Sequence, residues 1–142
     1  MLAQRWRLDG QLALVTGGSA GIGRAICEQL LREGCRVISL SRRPCDIAHP
    51  MLHNLLADLT DREATAQAAR ELAARGDVNT VIHNAGVIRA ALLPDVALAD
   101  VDALVNLHLT CAIQLVQAAL PTMRAQHYGR VVLLSSRAAL GL

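Results

Sequence analysis

One glycine-rich stretch, residues 14–24, constrains the fold more than any other part of the chain. A short apolar run over residues 12–15 stops at a cluster that includes Gly17, Gly21 and Gly23, and an amphipathic run follows directly. Glycine adopts φ angles that other residues resist, and it places no side chain between the backbone and a ligand. The stretch therefore predicts a strand, a tight turn and a helix.

A helix that begins at such a turn can bind phosphate. Its first N–H groups have no partner within the helix, and its N-terminus carries about half a positive charge. A pyrophosphate fits this position. The alternative is a tight strand-to-helix turn without any ligand, which would use the same glycines.

Strand and helix patterns alternate along the rest of the chain. Apolar runs predict further strands over residues 36–40, 53–57, 79–83 and 130–134. After the first helix, which Gly34 ends, periodic runs predict helices over residues 62–75 and 102–126. Thr60 or Asp61 would cap the second helix and Gly76 would end it. The segment over residues 41–50 is too short for a helix, and it contains prolines. This order predicts an α/β fold with a doubly wound, Rossmann-like parallel sheet in the strand order three, two, one, four, five.

The first and last helices carry apolar stripes. In the first helix, Ile22, Ala25 and Ile26 begin a stripe at helical spacing. The last helix is apolar enough that we expect burial on more than one side and an interruption near Pro121. A membrane span is the alternative, but polar residues along this helix argue against it, namely Asn106, His108, Gln114 and Gln117.

Composition excludes several classes of partner. The chain has 142 residues, a net charge of +2, one Trp, one Tyr and no Phe, so that stacking on nucleic-acid bases has almost no side chains to use. The arginines are scattered, and no basic face for nucleic acid or a membrane is evident. The four cysteines lack metal-ligand spacing, which favours buried reduced thiols over a metal site or disulfides. The first residues lack the apolar region of a signal peptide, so that we expect a cytoplasmic chain.

The spacing Thr16-Gly17-x3-Gly21-x-Gly23 resembles that of the short-chain dehydrogenase/reductase family. The resemblance continues with Asp58, with Asn84-Ala85-Gly86, with Asn106 and with Ser135-Ser136. It implies hydride transfer between a nicotinamide dinucleotide and a small carbonyl or alcohol substrate.

The resemblance also implies roles for individual residues. The phosphate turn would be formed by Gly17, Ser19, Ala20, Gly21, Ile22 and Gly23. Asp58 and Leu59 would contact the adenine, and Asn84, Ala85 and Gly86 would line the adenosine ribose. Ser136 would polarise the substrate carbonyl, and Asn106 would hold a water of a proton relay. A strand-terminal turn is the alternative interpretation of Ser135 and Ser136.

Arg42 and Arg43 follow the second strand about twenty residues beyond the glycine turn. An acid at this place would bind the ribose 2′-hydroxyl of NAD, whereas a guanidinium matches a 2′-phosphate. We therefore predict NADP(H) rather than NAD(H). A solvated arginine pair on a loop is the alternative.

The family also uses a tyrosine about thirteen positions after the serine, with a lysine four residues later. Neither position exists in this chain, which contains no lysine and has Tyr128 as its single tyrosine. We therefore expect residues 1–142 to form a single dinucleotide-binding domain that corresponds to the N-terminal part of the family domain and is inactive by itself. A non-catalytic dinucleotide-binding or interaction module is the alternative. The long apolar helix also predicts a homo-oligomer.

Overall fold

Strands and helices alternate through residues 8–141, the part of the chain that the computed structural model describes. The strands are β1 (Leu12–Thr16), β2 (Arg36–Ser41), β3 (Leu52–Leu56), β4 (Thr80–His83) and β5 (Arg130–Leu133). The helices are α1 (Gly21–Arg32), α2 (Arg62–Arg75), α3 (Leu98–Val105) and α4 (Cys111–Ala125). A π-helical turn, Asn106–Thr110, joins α3 to α4, and short 3-10 helices lie at Leu93–Asp95 and Arg137–Leu140.

All five strands are parallel and form one sheet in the order β3-β2-β1-β4-β5. This order confirms the predicted doubly wound α/β fold. β1 is central, and its Leu14 pairs with Ile38 of β2 and with Val81 of β4. The strand order reverses between β1 and β4, where a crevice forms at the carboxyl ends of the strands.

The core fills both faces of the central strands. Leu14 and Ile38 pack on the side of α2 and α4, together with Leu115, whereas Val15 packs with Cys27 of α1 on the other side. Every residue of β1 and β4 is buried. Burial on both faces explains the nearly continuous apolar runs of these strands.

Helix α2 has the ends that the sequence predicts. The Asp61 side chain accepts hydrogen bonds from the backbone N–H groups of Glu63 and Ala64, and Gly76 ends the helix at a φ of +67°. Helix α1 differs, because no side chain caps it at Ala20. The prediction that Ile22 belongs to its buried stripe was wrong, since this side chain is 67% exposed on the first turn of α1.

The long helix departs from its prediction in three ways. It begins at Leu98 and ends at Ala125, and its irregular segment is the π turn, while Pro121 lies inside regular α4. Proline late in a helix removes one hydrogen bond but here does not end the helix. Burial on more than one side was also wrong, because exposed apolar side chains line one face, namely Val105, Leu109 and Ile113.

The span Leu98–Ala125 is long and apolar enough to cross a membrane by length and composition. Its buried residues, however, pack against the sheet and α2 in the larger of the two core clusters. The four cysteines are buried as free thiols. Within residues 8–141 no group of three or more metal-ligating side chains comes together.

Candidate functional site

A cleft of about 460 Å³ lies at the carboxyl ends of β1, β2, β3 and β4. Many of the residues singled out in the sequence line it together: Gly17, Ser19, Ala20, Arg42, Arg43, Asp58, Leu59, Asn84, Ala85 and Gly86. They come from four separate loops. The parallel sheet brings these loops to one edge because the carboxyl ends of its strands all point there.

The glycine turn forms one end of the cleft. Gly17 has a φ of +67°, and a Cβ atom on Gly23 would lie 2.1 Å from the Gly17 carbonyl oxygen and 2.5 Å from Asn84 Nδ2. No other residue fits at position 23 without moving the turn. Gly21, Ile22 and Gly23 form the first turn of α1 and do not line the cleft themselves.

Thr16 joins the glycine turn to the loop after β4. Its Oγ1 accepts hydrogen bonds from the N–H groups of Asn84 and Ala85, each at 3.0 Å. Asn84 Nδ2 in turn donates to the carbonyl oxygens of Thr16 and Gly17, at 3.2 and 3.3 Å. These bonds fix the wall Asn84–Gly86 relative to the phosphate turn. The sequence marked Thr16 as part of the motif but gave no sign of this role.

The loops after β2 and β3 bring charged groups to the cleft. Arg42 and Arg43 are exposed, and neither has a hydrogen-bond or ion-pair partner among the described residues. Asp58 Oδ1 accepts from the N–H and the hydroxyl of Thr60, at 3.0 and 2.6 Å. These bonds, with a smaller contribution from Arg42, hold the pKa of the Asp58 carboxyl below its ordinary value.

Sequence reasoning missed three polar residues that line the cleft: Ser41, Thr60 and Arg89. The Ser41 side chain is nearly buried, and its Oγ has no hydrogen-bond partner within residues 8–141. Arg89 Nη1 pairs with Asp100 at the start of α3. Ser41 is the last residue of β2, and a polar side chain at the carboxyl end of a strand was the available signal.

Asn106 lies on the π turn and is 5% exposed, outside the cleft. Its Oδ1 accepts from Arg62 Nε at 3.0 Å, and its Nδ2 donates to the Thr60 carbonyl oxygen at 2.8 Å. The amide thus ties the π turn to the start of α2. The Cys111 N–H bonds to the Asn106 carbonyl oxygen and closes the wide turn.

Ser135 and Ser136 follow β5 at the same edge of the sheet, but neither lines the cleft. Ser136 is exposed, and its Oγ accepts from the Ala138 N–H at 3.1 Å, so that it caps the last 3-10 helix. Tyr128 precedes β5 and therefore lies at the opposite, amino end of the strands.

A family model described as short chain dehydrogenase matches residues 11–141. The chain belongs to the short-chain dehydrogenase family. Among the relatives of this chain, a tropinone reductase homolog of Arabidopsis thaliana is 29% identical over 150 residues, covering 94% of this chain and 55% of the relative. A 3-oxoacyl-[acyl-carrier-protein] reductase of Thermotoga maritima is also 29% identical, covering 92% of this chain and 57% of the relative.

Solved structures of the family share the fold. A short chain dehydrogenase/reductase family protein superposes with a TM-score of 0.84 at 31% identity, covering 94% of this chain and 58% of the other. An NAD(P)-dependent gluconate 5-dehydrogenase from Beutenbergia cavernae, with NADP bound, has a TM-score of 0.81 at 32% identity, covering 89% and 54%. This chain thus spans about half the length of the relatives it matches.

Proposed function

We propose that the chain is the dinucleotide-binding part of an NADP(H)-dependent oxidoreductase that interconverts ketones and alcohols. The observation that carries this proposal is the cleft itself, in which the glycine turn, the unpaired arginines and the Asn84–Gly86 wall face one volume. A small carbonyl or alcohol compound would be the substrate.

The cleft fits the phosphates of a dinucleotide at two places. At the first, glycine at positions 17 and 23 lets the turn pack closely against the loop after β4, and the N-terminus of α1 has no side-chain cap. Free N–H groups at such an end bind pyrophosphate. Ser19 and Ala20 line the cleft beside it.

At the second place, the arginines would bind a ribose 2′-phosphate. Arg42 and Arg43 lack partners in the described part of the chain, and the unpartnered Ser41 hydroxyl lies next to them in sequence and lines the same cleft. A buried hydroxyl without a partner costs free energy until a ligand bonds to it. This favours NADP(H) over NAD(H).

The chemistry assigned to the family would use Ser136 to polarise the substrate carbonyl, with Asn106 contributing to a proton relay. A bound nicotinamide dinucleotide would supply or accept the hydride. Proton donation needs a group matched to neutral pH, and a tyrosine with its ordinary pKa near 10 needs a neighbouring cation. Tyr128 lies at the wrong end of the strands, and the chain has no lysine. We therefore propose that these 142 residues form one domain that binds the dinucleotide and does not turn over.

We further propose a cytoplasmic location and self-association, the latter because of the exposed apolar face of α3 and α4. Neither nucleic acid nor a membrane is a proposed partner. The scattered arginines and the near absence of aromatic residues support this choice.

Fluorescence titration of the full chain with NADPH and NADH tests the cofactor assignment. We expect Arg42→Ala to weaken NADPH binding by about tenfold or more, since hydrogen bonds to charged groups contribute about 1.5–3 kcal/mol. NADH binding should not change. Arg70→Ala, on the exposed face of α2, is the matched control and should leave the affinities for NADPH and NADH unchanged. Equal affinity of the unaltered chain for NADPH and NADH would refute the assignment.

The second candidate is a module that binds a dinucleotide or a protein without redox chemistry. The exposed apolar face formed by Val105, Leu109 and Ile113 favours it, because such a face can bind a protein. An assay with NADPH and a panel of ketones separates activity from binding: we expect no turnover, and reduction above a no-protein control would contradict the inactivity. The reading frame beyond residue 142 separates the two candidates, because a Tyr-x3-Lys segment at family spacing favours the oxidoreductase.

A further inference from the structure

His83 ends β4 directly before the Asn84–Gly86 wall of the cleft, and it is 4% exposed. Both ring nitrogens have partners. Nδ1 lies 3.0 Å from Thr16 Oγ1, and Nε2 lies 3.0 Å from the Leu107 carbonyl oxygen on the π turn. One side chain therefore connects β1, β4 and the long helix.

These partners fix the tautomer. A carbonyl oxygen can only accept, so Nε2 carries the hydrogen that it donates to Leu107. In a neutral ring Nδ1 is then an acceptor, and the Thr16 hydroxyl donates to it. This leaves the lone pairs of Thr16 Oγ1 for the N–H groups of Asn84 and Ala85, both at 3.0 Å. Every group in the network is satisfied only while the imidazole is neutral.

Protonation would break this arrangement. A charged ring carries hydrogen on both nitrogens, so Nδ1 would donate to Thr16 Oγ1 and compete with the N–H groups of Asn84 and Ala85 for its two lone pairs. The Thr16 hydroxyl hydrogen would also lose its acceptor. At least one hydrogen bond that holds the cleft wall would be lost.

We propose that neutral His83, with its hydrogen on Nε2, is a positioning residue that acts through Thr16 to hold the Asn84–Gly86 wall in its ligand-binding geometry. The inference rests on the proposed binding of a dinucleotide in this cleft. It predicts that the binding site is lost in acid through a residue that itself does not line the cleft.

The surroundings of His83 favour the neutral form. Burial lowers the pKa of His83, the Leu107 carbonyl opposes this, and His108 adds a smaller decrease. Within residues 8–141, His108 on the π turn is the titratable group that acts on this ring. The His83 ring also contacts Thr16 on β1, and the His83 backbone pairs with Leu133 on β5. In the described part of the chain, no carboxylate stabilises a charged imidazole at this position.

The sign of the pH dependence follows from this direction. The unfolded chain takes up a proton near pH 6.5, whereas the folded chain resists protonation until lower pH. Between these values the unfolded state binds more protons. Stability contributed by His83 is therefore complete above pH 6.5 and is lost as the pH falls below it.

The test is NADPH affinity of the full chain from pH 8 to pH 5, compared between the unaltered protein and His83→Gln. A glutamine amide can donate to the Leu107 carbonyl and does not titrate. We expect the affinity of the unaltered chain to fall in acid by about three- to tenfold more than that of the variant, the range for one lost hydrogen bond. The NADPH 2′-phosphate also titrates near pH 6, but this effect is common to both proteins and cancels.

His53→Gln, on the exposed β3 edge, is the matched control and should keep the acid loss of the unaltered chain. His83→Asn, which can still accept from Thr16, should restore acid tolerance if glutamine packs badly. The imidazole Cε1–H resonance that disappears in His83→Gln should titrate below pH 6.5 in the unaltered chain.

Three results would overturn the inference. One is an equal acid loss in the unaltered chain, His83→Gln and His83→Asn. Another is titration of His83 at or above pH 6.5. Binding of NADPH at pH 7.5 together with either result refutes the role of His83 and leaves the proposed function standing. The third result is failure of the unaltered chain to bind any dinucleotide at any pH, which refutes the role of His83 and the proposed function together.

Discussion

The centre of the sheet and its β5 edge are built from similar apolar residues but reach opposite degrees of burial. In β1 and β4 every side chain is buried, whereas in and just after β5 Val131, Val132, Leu133 and Leu134 are 38–59% exposed. Hydrophobicity alone does not separate the two regions. The difference is in what packs against them, since helices cover both faces of the centre and only one strand pairs with β5.

The same division runs through the site. The cleft lies over the buried centre, and its turn and wall are tied together by Thr16, His83 and Asn84. Ser136 follows the exposed strand, and among the described residues its Oγ bonds to Ala138 in the short helix that it caps. Hydrogen bonds between distant segments therefore support the part of the site that we propose to bind the dinucleotide, whereas the Ser136 side chain bonds within its own turn.

Gly23→Ala should have the largest effect. The added Cβ would lie 2.1 Å from a backbone oxygen, a clash with no flexible atom to move. We expect a loss of about 4 kcal/mol or more in the free energy of unfolding, measured by urea denaturation. In the control Gly21→Ala the Cβ meets nothing within 4 Å, and only the strain of a φ of +55° remains, about 1–2 kcal/mol. Equal losses in both variants would show that the turn is not tightly packed.

Leu115→Ala and Leu133→Ala compare the two regions directly. Leu115 is 0% exposed in the core, and its truncation should cost about 2–5 kcal/mol. Leu133 is 59% exposed, so its truncation removes mostly hydrated surface and should cost about 1 kcal/mol or less. Urea denaturation gives both values. A cost at Leu133 as large as at Leu115 would mean that β5 is covered in solution.

Val132→Lys should have the smallest effect on stability. The side chain is 47% exposed on the edge strand, and surface changes of this kind usually fall within about 0.5 kcal/mol. A charge on an apolar edge should nevertheless oppose association between chains. We expect sedimentation velocity to show less self-association than in the unaltered protein. An unchanged distribution would place any self-association elsewhere, such as the face formed by Val105, Leu109 and Ile113.

The sequence predicted the elements well where local patterns decide them. The Asp61 cap, the end of α2 at Gly76 and the loop after β2 all depend on residues close to each other in the chain. The sequence did not predict the π turn, and the predicted interruption of the helix near Pro121 does not occur in α4. The bonds that surround this turn join residues far apart in sequence, such as Asn106 with Thr60 and Leu107 with His83.

By itself the sequence determined the strand order and the family, because alternating periodicity and the spacing of glycines are local signals. Only the tertiary structure decided which of the marked residues share a cleft, that Ser41 joins them without a partner among the described residues, and that His83 bonds to two distant segments. Side-chain hydrogen bonds and burial depend on contacts across the sheet, and such contacts are set by how the elements pack.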